Sequence, residues 1–79
     1  MTISELKERL TVEKIPTGWY NLEQTGHKDD TTCLRFSDNK WFVYYTERGK
    51  KYEESEFESE AEACEELLTR MLDEKENYK

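Results

Sequence analysis

Seventy-nine residues make one domain with a small core, since a chain of this length buries only about 60 to 65% of the surface it exposes when unfolded. A hydrophobic content of 34% against 39% charged residues lies near the composition at which chains stop folding, and the aromatic content of 13% is what makes a thin, aromatic core feasible. The net charge of −7 disfavours nucleic acid and anionic membrane as partners and favours basic ones, and no apolar run approaches the roughly 20 residues needed to span a bilayer.

Residues 2 to 14 read as a helix, with Thr2 or Ser4 as N-cap, Glu5 completing a capping box with Thr2, and Ile3, Leu6 and Leu10 on one narrow face. Pro16 and Gly18 are expected to end it. Trp19 to Leu22 is a short strand candidate, followed by a polar loop from Glu23 to Thr31. The segments Thr32 to Phe36, Trp41 to Thr46 and Lys51 to Phe57 have strand character, with turns at Ser37 to Lys40 and Glu47 to Lys50. They predict an antiparallel meander, with the sheet as a whole spanning 19 to 57 and holding three or four strands. Ser59, with Glu62 as its capping partner, opens a second helix over 59 to 73, whose apolar face is Ala61, Cys64, Leu67, Leu68, Met71 and Leu72. Residues 74 to 79 are expected to fray. The change of period from 2 to 3.6 after Phe57 predicts an α+β fold, with the C-terminal helix packed on one face of the sheet.

Alternation along the strands then assigns faces. Leu34, Phe36, Trp41, Val43, Tyr45 and Phe57 are expected inward, under the C-terminal helix. Arg35, Phe42, Tyr44, Tyr52, Glu54 and Glu56 fall on the opposite face, an aromatic and acidic mixture that either the N-terminal helix or a partner must cover. A homodimer through that face or through the N-terminal helix is compatible with the same pattern.

Little in the chain points to catalysis. The single imidazole, His27, lies with Asp29, Asp30 and Cys33, but catalytic zinc commonly takes two or three His or Cys ligands in a rigid frame, so a polar loop is the expectation and no metal or other cofactor is assigned. No nucleophile elbow accompanies a Ser or Cys, and a domain this small offers little cleft in which to tune a carboxylate, so no enzyme is expected. The N-terminus, Met1 to Lys7, is too polar for a secretory leader. Cys33 and Cys64 are therefore expected reduced in a cytoplasm, Cys64 as an inert buried thiol and Cys33 as an exposed one if it faces outward.

The acids Glu53, Glu54, Glu56, Glu58, Glu60, Glu62, Glu65 and Glu66 have two explanations. Glu60 and Glu62 complement a helix N-terminus, and Glu66 with Arg70 is an i, i+4 pair. Those on the terminal strand either guard a sheet edge or meet a basic partner.

Three segments carry a resemblance: Trp19-Tyr20-Asn21-Leu22, Trp41 to Gly49, and Phe57 to Cys64. Together they resemble a group of small bacterial immunity proteins of polymorphic toxin systems, over about residues 19 to 72. The resemblance implies a cytoplasmic protein that binds and blocks a co-encoded toxin. Residues 41 to 72 are also similar to the three-strand-plus-helix DNA-binding domain of tyrosine integrases and the AP2 type. That resemblance implies the topology and not DNA binding, since Arg35, Arg48, Lys50 and Lys51 stand against four glutamates. The alternative functions are a nucleic-acid module using the basic turn Arg48, Lys50 and Lys51 with aromatic stacking, and a DNA mimic built on the acids.

Overall fold

A computed structural model of the chain describes residues 1–22 and 30–77. Helix α1 (Ile3–Val12) and a 3₁₀ turn (Thr17–Trp19) lead into strand β1 (Tyr20–Asn21). Strands β2 (Thr31–Ser37), β3 (Lys40–Glu47) and β4 (Lys50–Phe57) follow, then helix α2 (Glu60–Asn77). The architecture is α+β.

The Thr2–Glu5 capping box is formed: the Thr2 hydroxyl accepts from Glu5 N–H and the Glu5 carboxylate accepts from Thr2 N–H. The Thr2 hydrogen bonds also hold the Glu5 carboxyl below its usual range. At the other end the helix stops before Pro16 because Lys14 adopts a left-handed φ of 60°. Ile15 N–H then donates to Leu10 O and Lys14 N–H to Thr11 O, a Schellman closure that turns Ile15 back onto Leu10. Leu6, Leu10 and Ile15 are all buried.

The strands lie in the order β1-β2-β3-β4. Two tight hairpins join β2 to β3 and β3 to β4, and the central residues of each turn, Asp38–Asn39 and Arg48–Gly49, have positive φ, as the right-handed twist of the flanking strands favours. The expectation of a purely antiparallel sheet is corrected at β1. It pairs with β2 in parallel, Tyr20 beside Thr32 and Asn21 beside Cys33, so the sheet is mixed. Residues 22–30 separate the two strands in sequence, more than a tight hairpin uses, so the chain length does not oblige them to run in opposite directions.

Helix α2 crosses β2, β3 and β4, and α1 lies alongside α2. The helices run in the same direction: Ile3 N–H donates to Glu60 at the first turn of α2, and Lys75 in its last turn donates to Glu13 O at the end of α1. Both contribute to one apolar cluster with Leu34 and Val43 of the sheet. The N-terminal helix therefore does not cover the opposite face, because its narrow stripe is used up against α2. Ser59 accepts from Glu62 N–H at the start of α2, and the helix continues to Asn77, through residues expected to fray. The Asn77 amide on Asp73 O and the Lys75–Glu13 contact hold that extra turn. Phe36 shares the inward face but is 45% exposed, lying against Trp41 with ring centroids 4.7 Å apart near the end of the sheet. Among the described residues no helix is long and apolar enough to cross a membrane.

Candidate functional site

Cross-strand partners share a face, so the register defines what the side away from the helices carries. One row is Asn21, Cys33 and Tyr44, the next Thr31, Thr46 and Lys51, and a third Arg35, Phe42 and Glu56. Arg35 Nε donates to the Tyr44 hydroxyl at 2.9 Å, and the Lys51 ammonium sits 4.8 Å from the centre of the Tyr44 ring. Tyr44 is thus capped at its tip and on one face by cations and is only 3% exposed. Around it the charges alternate in sign. Lys51 pairs with Glu54 at 3.8 Å, and Lys40 reaches Glu56 at 3.1 Å and Glu58 at 3.9 Å. The hydrogen bond and charge of Glu56 raise the Lys40 pKa.

Of the residues expected on this surface, Arg35, Phe42, Tyr44, Glu54 and Glu56 are brought together, and Tyr52 is not. Two registers meet within β4: Phe57, Glu56 and Ser55 pair with Trp41, Phe42 and Val43, whereas Tyr52, Lys51 and Lys50 pair with Tyr45, Thr46 and Glu47. One extra residue is absorbed opposite Tyr44, where Glu53 takes a left-handed φ of 53°. This β-bulge reverses the alternation and turns Tyr52 to the helix side, next to Tyr45. Nothing in the residue types announces it, because a glutamate occupies a position where glycine or asparagine would be the usual signal. The bulge and the charges both fall on an edge strand, the place where such devices block unwanted strand pairing.

A second feature lies on the helix side of the sheet, where Tyr45 stands beside the displaced Tyr52. An open groove of about 390 Å³ runs between the sheet and the C-terminal half of α2, lined by Thr32, Tyr45, Glu53, Arg70, Asp73, Glu74 and Asn77. Arg70 is its fixed part. Its Nε donates to Glu66 at 2.7 Å, while Nη2 donates to Glu53 O at 2.8 Å and to Ser55 Oγ at 3.1 Å. The i, i+4 pair legible in sequence is therefore also the brace that ties α2 to the bulge. Burial raises the Tyr45 pKa, and the nearby carboxylates Asp30, Glu47 and Glu74 raise it further.

Both cysteines are free of a disulfide and buried. Cys64 lies in the apolar cluster, where burial pushes its thiol up to about 11. Cys33 corrects the expectation of an exposed thiol: it does face away from the helices but is 3% exposed, its sulfur 3.5 Å from the Thr31 hydroxyl. Its cross-strand neighbours are Asn21 and Tyr44, both buried. His27 and Asp29 lie outside the described residues, and among the described residues no three His, Cys, Asp or Glu side chains are grouped to hold a metal ion.

No protein-family model, curated protein or solved structure matches the chain.

Proposed function

We propose that the chain is a protein-binding module that neutralises a basic partner protein in the cytoplasm, and that the partner is a toxin encoded beside it. One observation supports the reading above the others. With both helices on one side of the sheet, the opposite side of β3 and β4 presents the exposed side chains of Lys40, Lys51, Glu54, Glu56 and Glu58 around Phe42 and the capped ring of Tyr44. Tyr44, 3% exposed, supports this surface from beneath, so the accessible aromatic is the half-buried Phe42, and an aromatic group ringed by charge is the composition of an interface centre and its rim. The excess of acids across the whole chain steers a basic partner toward it, and the ion pairs already present on the surface exchange their lysines for the partner's cations on contact. The resemblance to immunity proteins supplies the class of partner.

The direct experiment is co-expression of the chain with the toxin encoded beside its gene, in a cell sensitive to that toxin. Growth is expected to be restored, and no rescue overturns the reading. The double substitution E54K/E56K places each new charge beside Lys51 or Lys40 and before the partner's cations. It is expected to slow association about tenfold or more, with little change in the thermal midpoint, because the sites are exposed.

A further inference from the structure

We infer that the groove between the sheet and the C-terminal half of α2 is a docking site for an arginine side chain carried on a basic segment of a partner protein. This deepens the binding reading above, and rests on it for the partner being a protein.

The charge balance of the groove sets the sign of the occupant. Glu53, Asp73 and Glu74 line it, and Asp30 and Glu47 bear on Tyr45 beside it. Among the described residues none of these five carboxylates is in an ion pair. Asp73 Oδ1 accepts only from the Asn77 amide, at 3.3 Å. Among the described lining residues the one cation is Arg70, whose Nε and Nη2 are engaged by Glu66, Glu53 O and Ser55 while its buried Nη1 has no hydrogen-bond partner. Asn77 lies in the last turn of α2, so the negative end of the helix dipole adds to the same potential. An anion is repelled here, and so is a second copy of this acidic chain.

The aromatic side of the groove selects among cations. Tyr45 forms a wall, and its cross-strand neighbour Tyr52, outside the groove lining and 44% exposed, lies beside it on the same face. A guanidinium stacks on a tyrosine face and at the same time bridges carboxylates with its planar fork, whereas an ammonium does so only as a point charge. Tyrosine wall, carboxylate rim and open mouth together fit an arginine better than a lysine.

The test uses the full chain labelled with ¹⁵N and titrated with a capped Gly-Arg-Gly-Arg-Gly peptide, with the lysine counterpart as comparison. Saturable amide shifts are expected at Thr32, Tyr45, Glu53 and along 70–77, weakening as salt is raised. The arginine peptide should bind at least threefold tighter than the lysine one. The exposed double substitution D73N/E74Q should weaken it about fivefold or more with the thermal midpoint unchanged. Shifts confined to residues 54–66, equal binding of a capped pentaglutamate, or no saturable shift at about 5 mM peptide would overturn the inference. The two proposals fail separately. Growth rescue without groove shifts removes the groove and leaves inhibition standing, while groove shifts without rescue remove inhibition and leave the groove.

Discussion

The two faces of the sheet are built on different principles. The helix side carries Leu34 and Val43 beneath Leu6, Leu10, Leu67 and Met71, all fully buried, and its stability comes from area removed from water. The other side is also well buried at its centre, but by Asn21, Thr31, Cys33, Tyr44 and Thr46, and it is organised by directional contacts such as Arg35 on the Tyr44 hydroxyl. A closely packed face therefore need not be an apolar one. What the comparison teaches is where change is tolerated: apolar packing punishes lost volume, whereas a polar face punishes lost partners and leaves its rim free to vary.

The largest effect should follow from Leu67→Ala. Leu67 is fully buried at the centre of α2, and truncation there leaves a cavity expected to cost about 2 to 5 kcal/mol. For a domain whose total stability is of order 5 to 15 kcal/mol, that is a large drop in the urea midpoint. A loss below about 1 kcal/mol would mean that the helix side is not the dominant core.

Tyr44→Phe probes the other face with almost no change of shape. It deletes the hydroxyl that accepts from Arg35 while leaving the ring under Lys51, and should cost about 1 kcal/mol in the same unfolding experiment. A cost equal to that of Leu67→Ala would make the polar face a second core of equal rank.

This asymmetry explains what could be foreseen from sequence. Both helices were legible, because their apolar spacing and the Thr2 and Ser59 caps are local. The hairpins were legible for the same reason. The direction of β1 was not, since parallel pairing is decided by contacts far apart in the chain. Within the candidate surface, alternation placed Arg35, Phe42, Tyr44, Glu54 and Glu56 correctly relative to one another and misplaced Tyr52, because one inserted residue inverts everything beyond it. The groove was hidden for a related reason. Arg70 announces its partner Glu66 one turn away, but not Ser55 and the bulge carbonyl across the sheet, and residues 74 to 77 looked like part of a fraying tail.

The smallest expected effect tests that inserted residue. Glu53 has a φ of 53°, where an L side chain costs about 1 to 2 kcal/mol and glycine does not. Glycine gives back roughly 0.5 to 1 kcal/mol of this through the greater freedom of the unfolded chain. Glu53→Gly should therefore stabilise the fold slightly, by about 0.5 kcal/mol. The neighbouring Glu54→Gly makes a matched control: Glu54 is not in the left-handed region, so the same change should only lose, by about 0.5 to 1 kcal/mol, and it also removes the pair with Lys51. Opposite signs at adjacent glutamates, read as shifts of the thermal midpoint, would locate the bulge at Glu53 without any further structure. Equal signs would mean that the extra residue is absorbed elsewhere in β4, and Tyr52 would then no longer be held on the groove side.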